Sequence, residues 1–303
     1  MTAVKTTVTR FAPSPTGLLH LGHAHAALFA ERAARNVGGR FLLRIEDIDL
    51  GRCRAQFEDA IYEDLSWLGL SWETPVRRQS DAMADYEAAL DRLNRMGVLY
   101  PCFCTRKDIT AEIEAAQGAP HLVQNGGLNE GQGGVQYGPD GPLYPGTCRA
   151  LSMHEREAKA EAGVPFALRL DMKRAIEIAH KNAGEITWRD EDRGVIKATP
   201  EIFGDVVLAR KDTPTSYHLS VTIDDHIQGV TLVTRGEDLF PATHIHRLLQ
   251  ALLGLNVPAY RHHGLLKGPD GNRLAKRDKA ETLRNLRETG HSPAEVRRMA
   301  GFT

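Results

Sequence analysis

Two prolines and a glycine separate an apolar run from an alanine-rich one in "RFAPSPTGLLHLGHAHAAL", Arg10 to Leu28. Proline fixes φ and gives no N–H to a ladder, so this stretch permits a strand that ends near Pro13, a stiff loop, and a helix that opens at His20. "TVTRFAP" reads as the short buried strand, and residues 20–36 as a helix ending near Gly38 and Gly39. Such a loop presents backbone N–H groups and the positive end of a helix dipole, a ready site for phosphate, with His20 and His23 in the first turn to face it.

The pattern that follows continues the same architecture. "RFLLRIED" (residues 40–47) reads as a second buried strand. Phe57, Ile61, Leu65 and Leu68 recur at helical spacing before Gly69, as do Tyr86, Leu90 and Leu93 before Gly97. Strand, helix, strand, helix predicts an α/β fold with a parallel sheet. The rhythm breaks at "YPCFC", and residues 118–142 hold eight glycines, three prolines and two charges, which reads as a mobile excursion in an inserted subdomain. Strand-like "FALRLDM" and "GDVVLAR" are followed by "YHLSVTIDD" and "GVTLVTRGEDL", so the core is expected to resume near residue 204. Ile245, Leu248, Leu249, Leu252 and Leu253 predict a helix ending at Gly254, and two short helices flank "TGHSP" after Asp278.

The 303 residues, 42% hydrophobic and 25% charged, suit a globular chain of two or three lobes rather than a disordered one. The start "MTAVKTTVTR" lacks the apolar core of a secretory signal, and no apolar run is long enough to span a membrane, so a cytoplasmic protein is expected. The net charge of −1 hides a local excess after residue 260, ten Lys and Arg against five Asp and Glu, a weak pointer to a polyanion. Cys102, Cys104 and Cys148 are three thiols that a reducing compartment makes more suited to a metal than to disulfides. Tetrahedral Zn²⁺ takes a fourth ligand, for which His121 and His154 are the conventional donors. Cys53 reads as an unpaired thiol.

"PSPTGLLHLGH" resembles the HIGH signature of class I aminoacyl-tRNA synthetases, with His20, Leu21, Gly22 and His23 in the four signature positions and the Pro-x-Pro-x-Gly lead of the glutamyl and glutaminyl branch. "GNRLAKRD" (residues 271–278) is similar to that branch's Lys-Leu-Ser-Lys-Arg loop, with Arg273 for the first lysine, Ala275 for the serine, and Lys276 kept. "RIEDID", "GVTLVTRGEDL" and "LLKGPDGNRLAKRD" complete the match in order, so the resemblance covers nearly the whole chain. It implies a Rossmann-type catalytic domain in two halves, 1–98 and 204–260. A zinc-binding α+β subdomain at 99–203 would be inserted between them, and a loop with a helical segment at 261–303 would follow.

The resemblance also implies the chemistry. ATP would be held by Pro13, Gly17, His20, Gly22, His23 and Lys276, with Mg²⁺ on its phosphates, and His20, His23 and Lys276 would be catalytic. L-glutamate would be bound by Arg10, Phe11, Ala12, Pro13, Ser14, Glu46, Tyr217 and Arg235, Glu46 taking the ammonium and the arginines the carboxylates. Cys-x-Cys followed by Tyr-x-x-x-Cys is similar to the glutamyl-queuosine tRNA(Asp) synthetases, which implies Tyr144 as the fourth ligand of a structural Zn²⁺. The chain ends 25 residues after Asp278, and the expectation is that no anticodon-binding domain follows. The implied acceptor is then queuosine in the anticodon stem-loop of tRNA(Asp), reached by a monomer. A minimal glutamyl-tRNA synthetase charging tRNA(Glu) and a non-catalytic RNA-binding paralogue are the alternatives.

Overall fold

All four residues of β1 (Val8–Phe11) are buried, and its ladder stops before the prolines of the following loop. The computed structural model describes residues 6–117, 136–266 and 281–303. From β1 the chain passes through α1 (Leu21–Arg35) to β2 (Arg40–Ile45), then through α2 (Ala55–Trp67) to β3 (Glu73–Arg78), and all three strands are parallel. Ala24, Ala27, Ala30 and Ala34 form the buried stripe of α1, small enough to bring the helix close against the sheet.

α3 (Met83–Arg95) and β4 (Leu99–Cys102) lead to α4 (Arg106–Gln117), the two-residue strands β5 (Tyr137–Gly138) and β6 (Gly141–Pro142), α5 (Met153–Glu161) and β7 (Ala167–Leu170). Then come α6 (Met172–Ala183), β8 (Thr187–Asp190), β9 (Gly194–Lys197), β10 (Val207–Ala209) and α7 (Tyr217–Ile227). β11 (Leu232–Gly236), α8 (Ala242–Leu253), β12 (Ala259–His263), α9 (Leu283–Glu288) and α10 (Pro293–Met299) complete the order. Gly254, at φ 63°, ends α8 in the left-handed region, and the side chains of Thr282 and Ser292 cap the two last helices.

A second sheet runs β11, β12, β8, β9, parallel except for β9 at its edge. The two sheets meet where the Val8 amide donates to Thr231 Oγ1 (2.8 Å) and the Thr231 amide donates to the Val8 carbonyl (3.0 Å). β1 and β11 therefore stand side by side, and the chain winds outward from them in opposite directions. That is a topological switch point, and open α/β sheets bind ligands there, beyond the carboxyl ends of the strands.

Each face of this composite sheet carries its own core. Leu28, Ile61 and Leu65 pack on one face with Leu283, Leu286, Val296 and Phe302 from the C-terminal helices. Tyr86, Leu93, Leu219, Ile245, Leu249 and Leu252 fill the other.

β4, β7 and β10 form a separate antiparallel sheet. Pairing therefore crosses the expected boundaries: β8, within 99–203, joins β12 of the main sheet, and β10, beyond 203, joins β7. Periodicity identifies strands but not their partners, which long-range packing selects. "YHLSVTIDD" forms the helix α7. Of the glycine-rich excursion, residues 118–135 lie outside the described residues. Among the described residues no helix is long and apolar enough to cross a membrane.

Candidate active site

His20 is the N-cap of α1, and the two histidines of the opening loop share the capping. Gly22 N–H donates to His20 Nδ1 (3.1 Å), His20 N–H donates to His23 Nδ1 (3.2 Å), and the rings lie 3.9 Å apart. An imidazole nitrogen that accepts carries no proton, so both rings hold theirs on Nε2. A Cβ on Gly22 would come within 3.0 Å of the His20 ring, which is why glycine stands between the histidines. The loop is tied to the end of β2 and the start of α2 through its prolines: Glu46 N–H donates to the Pro13 carbonyl and Arg54 N–H to that of Pro15, each at 3.0 Å.

The switch point opens into a cavity of about 480 Å³. Phe11, Ala12, Pro13, Ser14 and His23 line it together with Glu46 and Tyr217, and the exposed Arg52 and Arg210 stand at its rim. These seven lining residues, all singled out from sequence, come from β1 and its loop, α1, the end of β2 and the start of α7. His20 and Gly22 adjoin His23, while Arg10 and Arg235 lie behind the wall, each 6% exposed, next to the Tyr217 phenol. Lys276 lies outside the described residues.

Under this wall runs a charged network that the sequence reading missed. Arg10 Nε (2.9 Å) and Arg44 Nη1 (2.8 Å) both donate to Asp225 Oδ1, and Arg44 Nη2 donates to Glu46 Oε1 (3.0 Å). Asp224 accepts from Arg77 Nε (2.7 Å), Gln79 Nε2 (2.8 Å) and the Tyr86 hydroxyl (2.9 Å). Burial works against the Arg44 cation, yet Asp225, Glu46 and Asp224 keep it charged. Burial likewise opposes the Asp225 carboxylate, but Arg10 and Arg44 hold it below the usual carboxylate range. Burial pushes the Glu46 carboxyl up, against the pull of Arg44 and Arg10. The available signal was the adjacent acidic pair at the end of "YHLSVTIDD", where an otherwise apolar helix needs a reason to carry two charges.

Arg235 ends up differently. Its Nη2 donates to Thr243 Oγ1 (2.6 Å), its Nη1 to His246 Nδ1 (3.2 Å) and its Nε to His262 Nε2 (3.3 Å). Burial pushes the Tyr217 phenol beside it upward and keeps it neutral.

The sulfur atoms of Cys102, Cys104 and Cys148 lie within 4.8 Å of one another. The Tyr144 hydroxyl is 3.5 Å from Cys102 Sγ and 3.6 Å from Cys104 Sγ, and it accepts the Cys148 N–H at 2.9 Å. Three soft thiols and one phenol oxygen gathered at this spacing fit a closed tetrahedral site. Arg169 stacks on the Tyr144 ring, its guanidinium carbon 3.9 Å from the centroid, and burial pushes the phenol upward. His154 is exposed on α5, and His121 lies outside the described residues.

Residues 6–301 match the family of class I tRNA synthetases (E and Q), catalytic domain. The chain is 50% identical over 299 residues to the glutamyl-Q tRNA(Asp) synthetase of Rhodobacter capsulatus, covering 97% of this chain and 100% of that one. It is 36% identical to a glutamate–tRNA ligase of Aquifex aeolicus, over 94% of this chain and 54% of the relative. The structure of a glutamate tRNA ligase from Elizabethkingia meningosepticum, in complex with its amino acid, superposes with a TM-score of 0.75 at 27% identity. That match covers 98% of this chain and 60% of the solved one.

Proposed function

The chain belongs to the glutamyl-Q tRNA(Asp) synthetases, ligases within the class I glutamyl and glutaminyl family, and we propose that it activates L-glutamate with ATP in the absence of tRNA and transfers it to queuosine of tRNA(Asp). The observation that carries this reading is the single cavity wall shared by His23, Glu46 and Tyr217 at the switch point. A phosphate-facing helix start, an acid for an ammonium group and a phenol beside a buried arginine there meet at one space.

In this reading a carboxylate oxygen of glutamate attacks the α-phosphate of ATP. The new carboxyl–phosphate bond forms as the bond to the β-phosphate breaks, and pyrophosphate leaves. The nucleophile is already an anion, so the residues have no proton to remove and act by position and charge. His20 and His23 present Nε2–H groups to the phosphates, and Lys276 meets the leaving pyrophosphate. Mg²⁺, when bound with ATP, supplies neutralisation of phosphate charge. Glu46 accepts the substrate ammonium, and Arg10 and Arg235 take its carboxylates. Pro13, Gly17 and Gly22 shape the nucleotide side, and Phe11, Ala12, Ser14 and Tyr217 the amino-acid side. Transfer follows when a hydroxyl of queuosine, carried on the anticodon stem-loop, attacks the glutamyl carbonyl and releases AMP. The monomer is the active unit of this proposal, and Cys102, Cys104, Tyr144 and Cys148 hold a structural Zn²⁺.

ATP–pyrophosphate exchange with glutamate as the only added amino acid, without RNA, tests the first step. Exchange at saturating glutamate is the expected result. Exchange that starts only when tRNA is added contradicts tRNA-independent activation.

A further inference from the structure

Arg235 is a buried cation whose bonding partners among the described residues are all neutral. The groups are His262, His246 and Thr243, with the Tyr217 phenol adjacent and the Tyr260 ring 5.4 Å from the guanidinium carbon. Its neighbours Arg10 and Arg44 contrast with it, since both are paired to Asp225. A buried charge without a counter-ion is expensive, and such a charge is retained where a ligand supplies the opposite sign.

The two histidines are themselves fixed. A guanidinium cannot accept a hydrogen bond, so each imidazole meets Arg235 through an unprotonated nitrogen. His262 therefore carries its proton on Nδ1, which lies 2.7 Å from Asp190 Oδ2. Asp190, 1% exposed, is anchored in turn by the amides of Asp192 and Arg193, each at 3.0 Å. His246 carries its proton on Nε2, facing His218 Nδ1 at 3.3 Å. Both rings are acceptors toward Arg235, and neither brings a negative charge to it.

Of the two substrate carboxylates, the one assigned here to Arg235 is that of the side chain, the group by which glutamate differs from glutamine.

We propose that His246 and His262 are specificity-determining positioning residues. They hold the Arg235 guanidinium in place by accepting its N–H groups, and they leave its charge unmatched, so that the cleft takes the side-chain carboxylate of glutamate and rejects the neutral amide of glutamine. This inference rests on the reading of Arg235 as a carboxylate ligand. An acidic residue at 246 or 262 would provide an internal counter-ion and remove the demand for an anion. An apolar residue would release the guanidinium from its orientation. Glutamine at 262 places an amide oxygen where Nε2 stands and keeps the acceptor.

The test is ATP–pyrophosphate exchange by the full chain with glutamate and with glutamine, for the parent and for His246→Glu, His262→Leu, His262→Gln and Arg235→Met. His246→Glu and His262→Leu are expected to raise the KM for glutamate by about tenfold or more while leaving the KM for ATP unchanged. His246→Glu is also expected to lower the preference for glutamate over glutamine. His262→Gln restores the glutamate KM to within about threefold of the parent, since it keeps the acceptor. Parent-like KM and preference in His246→Glu, or a His262→Gln variant as impaired as His262→Leu, would overturn the proposal. Two positions keep the test decisive if one variant does not fold. A parent-like glutamate KM in Arg235→Met would instead overturn the assignment of Arg235, whereas loss in Arg235→Met with no effect at 246 and 262 overturns the histidine proposal alone.

Discussion

His23 accepts the backbone N–H of His20 on its Nδ1 at 3.2 Å, so the second histidine of the opening loop caps the first. The Nδ1 atom of each ring is thus committed to the cap at the helix start, and the proton is on Nε2. His20→Asn is expected to keep the cap, because an asparagine oxygen accepts from the first turn, and His20→Ala to cost about 1 kcal/mol of stability. Both are expected to lose pyrophosphate exchange. Melting curves set beside exchange rates separate the two roles, and a fully active His20→Asn would remove the Nε2–H group from the mechanism.

Gly22 carries a second prediction, since a Cβ there meets His20 Cε1 at 3.0 Å. Gly22→Ala must displace the ring by a few tenths of an ångström. Displacement of a positioned group is expected to lower kcat by about tenfold with little change in melting temperature. Unchanged kcat would show that the ring position is not critical.

Local signals in the chain were enough for most of the elements that build the cleft, though not for α7. Proline spacing placed the end of β1, the alanine-rich run before Gly38 and Gly39 placed α1, apolar periodicity placed α2, α3 and α8, and the "TGHSP" turn separated the last two helices. The partner of each strand was not readable: Thr187–Asp190 carries nothing that says it pairs with β12 rather than with β7. The candidate site divides in the same way. His20, His23, Glu46 and Tyr217 were visible through their resemblance to known motifs. Asp224, Asp225 and Arg44 looked like ordinary charges, because only the fold brings residue 225 within hydrogen-bonding distance of residues 10 and 44.

Stability is expected to rise with pH between about pH 4 and 6.5. Burial lowers His244 and His262 from 6.5 to about 4, so each is neutral in the fold over this window and protonated when unfolded. The unfolded chain then binds the extra protons, and the stability these two groups confer is present above pH 6.5 and lost as pH falls toward 4. Asp64 acts in the opposite sense: burial raises it from 3.8 to about 6, so the folded state holds a proton there and gains stability as pH falls. Denaturant unfolding across the window checks the balance. Asp64→Asn steepens the rise and His244→Gln flattens it, and a stability that falls from pH 4 to 6.5 would contradict the assignments.

The cysteine cluster is expected to carry structural zinc, because a metal bound only by the folded chain stabilises it. Cys148→Ser should lose zinc and melt at a lower temperature, and Tyr144→Phe should retain part of both. Metal analysis with thermal melting decides this. A Cys148→Ser protein with parent zinc content and melting temperature would dismiss the site.

Transfer of labelled glutamate, with ATP, to three purified RNAs tests the proposed acceptor. These are tRNA(Asp) containing queuosine, the same tRNA with unmodified guanosine, and tRNA(Glu). Label is expected on the queuosine-containing tRNA(Asp) alone. Label on tRNA(Glu), or on none of the three, would contradict it.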